Sequence, residues 1–111
     1  MSADNAIMIL RFPKDDKYEY RIQHVQNQED LYIYEDIKLP YPNVDYLMSY
    51  FRNPQAISSD ADEAYKIAEK LYEAEAIVEY GITYDELDHP FEVYEKEAGN
   101  YFDFSVDSDT L

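Results

Sequence analysis

Apolar and polar residues change their period several times along this chain, and each period predicts an element. Ala6 to Phe12, AIMILRF, is a short apolar run ended by PKDDK, where Pro13 and the paired aspartates predict a turn. Such a run predicts a central strand. KYEYRIQHV then alternates strictly, with Tyr18, Tyr20, Ile22 and His24 on one face and Glu19, Arg21, Gln23 and Val25 on the other. The two segments are expected to pair as a hairpin.

NQEDLYIYEDIKL fits two periods: Leu31, Ile33 and Ile37 alternate with Tyr32 and Tyr34, while QNQED also suits the start of a helical turn. A short strand at Leu31 to Tyr34 is expected. LPYP imposes an extended corner, because each proline pushes its predecessor out of the helical region. Asn43 is a good N-cap for a short helix carrying Val44, Leu47, Met48 and Phe51, which stops before Pro54. A longer helix follows in SSDADEAYKIAEKLYEAEA, capped by Ser59 or Asp60, with Asp60 and Glu63 at capping-box spacing and acidic residues in the first turn. Ala61, Ala64, Tyr65, Ala68, Leu71 and Tyr72 form its apolar stripe, widened by Ile67 and Ala74, and so rich in small residues that the helix can lie close on a sheet. AIVEYGITY reads as a strand in which Gly81 marks a bulge or close approach, and DELDHPF ends the regular core.

This order predicts an α+β fold: a small antiparallel sheet of three to five strands with one long and one short helix packed on one face. Residues 1–91 form a single domain and residues 92–111 an acidic, aromatic C-terminal extension, in which YFDFSV alternates and would suit an added strand.

Three stretches, MSADN leading into the first strand, YEYRIQH followed by NQEDL, and the helix running into VEYGI, resemble a family of small, uncharacterised phage and prophage proteins. The resemblance spans roughly residues 1–91 in the same order and at similar spacing. Its motifs carry no reactive group, so it implies a phage or prophage setting and no activity. The chain departs from that pattern at Ala6, where glycine is common, and in its greater acidity.

Composition changes the picture mainly through charge. The 111 residues hold 25 acidic against 9 basic side chains, a formal net of −16. A field of that sign repels nucleic acid and anionic membranes and attracts basic proteins. Hydrophobic content of 46% and aromatic content of 16% argue for a packed core despite the charge. Cysteine is absent and no apolar run approaches the roughly 20 residues needed to span a bilayer, so a soluble, cytoplasmic protein is expected, in the host cell if the setting is a phage. Acidity also has a bland cause, since solubility selects the same balance.

Little reaction chemistry is staged. No cysteine or Gly-x-Ser-x-Gly elbow offers a nucleophile, and two isolated glycines cannot cradle a phosphate. Asp85, Glu86, Asp88 and His89 in DELDH, with His24 from the second strand, are the one group that would suit a metal or acid-base role. Their spacing matches no established metal motif, DELDHP also reads as a solvated turn, and His24 reads as a packed sheet histidine. No cofactor is expected.

Binding is better supported. Thirteen tyrosines among interleaved carboxylates give rigid amphipathic area edged by negative charge. Glu29 to Phe51 is densest, and its outward side is expected to be a partner-binding surface of Glu29, Asp30, Tyr32, Tyr34, Glu35, Asp36, Tyr41, Asp45 and Tyr46. The expected function is that of a phage-encoded, non-enzymatic inhibitor that docks on a basic host protein, such as a defence effector or other nucleic-acid-handling protein, partly by imitating a row of phosphates. The competing readings are a structural or accessory protein that self-associates as a homodimer, and a metal-dependent enzyme or small-ligand binder built on DELDH and His24.

Overall fold

The computed structural model describes residues 5–31, 42–75 and 78–98. Strand β1 (Ala6–Lys14) and strand β2 (Lys17–Val25) form the expected antiparallel hairpin, with Ile9 opposite Ile22. Asp15 turns the chain in a left-handed conformation, φ 56°, which aspartate tolerates better than most residues. A 3-10 turn, Gln28–Leu31, and helix α1 (Val44–Phe51) follow, then a strand β3 (Ala56–Ser58), helix α2 (Ala61–Ala74), strand β4 (Ile82–Glu86) and a last helix, α3, over 91–98.

The sheet order is β3-β2-β1-β4. β3 lies antiparallel to β2, but β4 lies parallel to β1, with Ile9 beside Tyr84. The sheet is therefore mixed, where a wholly antiparallel one was expected. The reason is the crossover: α2 carries the chain over the sheet from one edge strand to the other, so β4 leaves in the direction that β3 entered.

The helices also divide between the faces instead of sharing one. β1 is apolar on both sides, with Met8, Leu10 and Phe12 pointing one way and Ile7 and Ile9 the other, all buried, so each face needs a cover. On the first face α1 and α3 bring Val44, Leu47, Phe51, Phe91 and Tyr94 against β1. Phe12 meets Phe91 edge-on at 5.3 Å and Tyr94 at 6.1 Å between ring centroids. On the second face α2 packs Ala64 and Ala68, both fully buried, over Ile7, Ile9 and Ile22.

Both helix starts follow the sequence. Asn43 Oδ1 accepts from the Tyr46 amide at 3.1 Å, and Asp60 Oδ2 accepts from the Glu63 amide at 2.9 Å. The capping box of α2 closes through a third residue: the Asp60 amide donates to Ser58 Oγ at 3.0 Å, and that hydroxyl donates to Glu63 Oε1 at 2.6 Å. The end of β3 is thereby locked to the start of α2.

Arg21 ties three segments on the α1/α3 face. Its guanidinium meets Glu19 Oε2 at 3.1 Å, donates to the carbonyls of Phe51 and Arg52 at the C-terminus of α1, and lies 3.9 Å over the Phe91 ring. A cation at a helix C-terminus is favoured by the helix dipole, and the ring face attracts it further.

Several local expectations are corrected. β1 runs through Pro13 to Lys14; Pro13 sits past the last pair with β4, where β1 is an edge and a missing N–H costs no ladder bond. Residues 78–80 are irregular, and the strand starts only after Gly81, whose φ of +70° suits glycine. Asn5 fixes this bend, accepting from the amides of Glu79 at 2.7 Å and Tyr80 at 3.0 Å, while Ile7 donates to the Gly81 carbonyl at 2.8 Å. Asn5, the last residue of SADN, thus meets the EYGI stretch in space. Leu31 ends the 3-10 turn, and the rest of the strand expected at 31–34 lies outside the described residues, as does YFDFSV. The core continues past the boundary expected after residue 91, because α3 buries Tyr94 and Ala98 in the same cluster as Phe91. Among the described residues no helix is long and apolar enough to cross a membrane.

Candidate protein-interaction surfaces

The acidic corner is built where the 3-10 turn meets α1. Asn27, with a left-handed φ of 51°, starts the turn, and Asn43 joins it to the helix, its amide donating to the Leu31 carbonyl at 2.8 Å and its side chain to the Asp30 carbonyl at 3.3 Å. Leu31 is buried beneath, so Glu29 and Asp30 face outward, next to the exposed Asp45 in the first turn of α1. All three are exposed, as expected of acidic residues at these positions. Tyr32, Tyr34, Glu35, Asp36 and Tyr41 lie outside the described residues.

Tyr46 is corrected: it belongs to the core. It is 7% exposed, packs its ring against Tyr50 at 4.8 Å, and donates its hydroxyl to the Gln26 carbonyl at 3.2 Å. Burial first, then the neighbouring Tyr50 and Asp30, pushes its hydroxyl well above the usual tyrosine range. Helical spacing explains the miss, since Tyr46 stands one position before Leu47 and shares the inward side of α1.

DELDH is divided among different environments. Asp85 and Glu86 belong to β4, Leu87 is buried, Asp88 is exposed in the bend, and His89 donates its amide to Tyr94 Oη at 3.2 Å with its ring edge-on to that tyrosine. His24 pairs with Ile7 at the far end of β1 and faces α2, with Nδ1 3.4 Å from Glu75 Oε1. The sheet keeps the two histidines apart. Among the described residues no three His, Cys, Asp or Glu side chains are grouped to hold a metal ion.

A second surface is present where the sequence placed core. Ala64, Ile67, Ala68 and Leu71 form the inward side of α2, while Tyr65 and Tyr72 stand at its flank, 43% and 45% exposed. Alanines bring the helix axis too close to the sheet for a tyrosine to fit beneath it, so the large rings turn outward at the seam. Across that seam Tyr65 stacks on Tyr84 of β4 with centroids 6.0 Å apart and ring planes 25° from parallel. Tyr84 Oη donates to Glu86 Oε2 at 2.9 Å, Glu86 Oε1 meets Arg11 at 3.2 Å, and the Arg11 guanidinium lies 3.9 Å over the Tyr18 ring. The band Tyr65, Tyr84, Glu86, Arg11, Tyr18 therefore crosses three strands and one helix without a break. Burial against the sheet, then the hydrogen bond to Glu86 and that carboxylate's charge, push Tyr84 up to about 12.

Acids frame this flank. Helical spacing puts Glu69 within about 60° of both Tyr65 and Tyr72 around the axis; Asp62 and Glu73 lie further round with Lys66 beside them, and Lys70 is turned from both rings by about 140° or more. Tyr80, 51% exposed, lies in the approach to β4. In the sequence only the i, i+7 repeat of Tyr65 and Tyr72 beside Glu69 marked this surface, and the same repeat also fits a core stripe.

Comparison of the chain with protein-family models, with curated proteins and with solved structures found no match.

Proposed function

We propose that the protein is a non-enzymatic, acidic binding protein whose partner is a basic host protein that handles nucleic acid, and that it acts by occupying that protein's basic groove. One observation carries the reading: the α2/β4 flank presents four exposed tyrosines, Tyr65, Tyr72, Tyr80 and Tyr84, interleaved with carboxylates, while Arg11, the cation beside them, is already held by Glu86. Exposed tyrosines give contact area at small entropic cost, and the net charge of −16 steers a basic surface towards them. The corner of Glu29, Asp30 and Asp45 widens the acidic reach, and carboxylates at helix spacing imitate part of a phosphate track. The resemblance of SADN and EYGI to phage proteins bears on the setting alone; a phage setting would put the action in the host cytoplasm and make a host defence effector one partner of this chemistry.

Affinity capture from host lysate at low and high salt tests the reading, with Glu69→Lys/Glu86→Lys as the variant. The expected result is a captured nucleic-acid-binding protein, lost at high salt and lost in the variant, whose nucleic acid is displaced by added wild-type protein. Capture indifferent to salt and to charge reversal would overturn it.

A second reading, self-association, rests on the two sheet edges. Among the described residues neither β3 nor β4 has a neighbour on its outer side, and an open edge is a template for another strand. Sedimentation at two concentrations separates the readings: a stable dimer with the tyrosines protected favours this one.

A further inference from the structure

We infer that the α2/β4 flank recognises arginine in preference to lysine, its partner being a protein segment that lays arginine side chains along α2. The inference rests on the proposed function and specifies the chemistry of its contact.

The fold twice shows what its aromatic rings accept. Arg11 lies 3.9 Å over Tyr18 and Arg21 lies 3.9 Å over Phe91, and in both places the same guanidinium is held at its edge by a carboxylate, Glu86 or Glu19. Ring beneath and carboxylate alongside is an arrangement for a planar, multidentate cation; a lysine ammonium is a compact, strongly hydrated point charge that gains less from it.

The flank repeats that arrangement with no arginine of its own. Tyr65 and Tyr72 stand two turns apart, about 10 Å along the axis, and Glu69 falls between them on the same side, four residues after one and three before the other. Tyr84 backs the Tyr65 ring, which leaves Tyr65 a supported plate with an outward face. A partner arginine laid between the two tyrosines therefore meets a ring and the Glu69 carboxylate together. Asp62 and Glu73 continue the acidic side along the axis in both directions; Lys66, four residues after Asp62 and three before Glu69, borders it, and Lys70 is turned from the rings by helical spacing.

Fluorescence anisotropy with two labelled peptides of equal length, one arginine-rich and one lysine-rich, tests the inference. Wild type is expected to bind the arginine peptide about fivefold or more tightly than the lysine peptide, the gain of one or two exposed cation–π contacts. Tyr65→Ala/Tyr72→Ala should erase that preference while keeping salt-sensitive binding of both peptides. Tyr65→Phe/Tyr72→Phe should retain it, because the rings remain. Glu69→Gln should weaken the arginine peptide more than the lysine peptide. Equal binding of the two peptides by wild type, or a preference that survives loss of both rings, overturns the arginine inference and leaves the acidic binding reading standing. Failure of wild type to bind either peptide overturns both.

Discussion

The two faces of the sheet solve the same burial problem in opposite ways. Towards α1 and α3 the cover is made of large rings and branched chains, Phe12, Phe51, Phe91, Tyr94 and Leu47, which interlock and leave their outer surfaces to charged residues. Towards α2 the cover is Ala64 and Ala68 flanked by Ile67 and Leu71, over three isoleucines and Tyr20, and Tyr65 and Tyr72, which a looser helix would have buried, are left at the rim. Close packing on one face thus creates an aromatic surface. The α1/α3 face spends its aromatics on the core, while the α2 face buries Tyr20 and leaves Tyr65 and Tyr72 at the rim, where the proposed partner would dock.

The largest expected effect tests that division directly. Phe12→Ala removes a ring that touches two others and should cost about 3–5 kcal/mol in urea unfolding. Ala68→Leu, on the other face, should cost about 1–3 kcal/mol because added volume has nowhere to go between α2 and the sheet. A larger loss from Ala68→Leu than from Phe12→Ala would reverse the comparison.

Paired tyrosine substitutions sharpen it. Tyr46→Phe leaves the Gln26 carbonyl without its donor and should cost about 1 kcal/mol. Tyr72→Phe, at an exposed rim position, should stay within about 0.5 kcal/mol of wild type.

The smallest effect is a pH dependence. Tyr84 is held protonated in the folded protein up to about 12, while in the unfolded chain it ionises near its ordinary value of 10. Its contribution is fully present below that ordinary value and is lost as pH rises through the interval to about 12, because the unfolded state then releases a proton that the folded state keeps. Tyr84→Phe should therefore show a shallower alkaline loss of stability than wild type when unfolding free energy is measured across that interval. Parallel slopes for the two proteins would show that neither the burial of the Tyr84 hydroxyl nor its bond to Glu86 bears on folding.

Much of the fold was legible because its signals are local. Alternation in KYEYRIQHV, the Asn43 and Asp60 caps, and the doubly apolar AIMIL are each decided within a few residues. What was hidden depends on contacts distant in sequence. β3 is three residues long and exists as a strand because Gln55, just before it, exchanges hydrogen bonds with Gln23 and the His24 amide. The direction of β4 follows from the path of α2, which no residue type encodes. The same limit governs the surfaces. The exposure of Glu29, Asp30 and Asp45 follows from polarity alone, whereas Tyr46 and the pair Tyr65 and Tyr72 exchanged places, because tyrosine suits both a core and a rim and only the depth of its helix decides.

The parallel pairing of β1 with β4 has a consequence for how the protein is born. Among the described residues β1 precedes the other strands of its sheet, and β2 closes one of its edges at once. Its other edge waits for β4 (Ile82–Glu86), far along the chain from β2 (Lys17–Val25), a delay of some seconds at about 5–20 residues per second of synthesis. Through that interval each nascent chain holds out an apolar strand edge, the kind of template on which neighbouring chains join wrongly. Like charge keeps such chains apart. The acidity that would select a basic partner for the finished protein would then also hold unfinished chains apart.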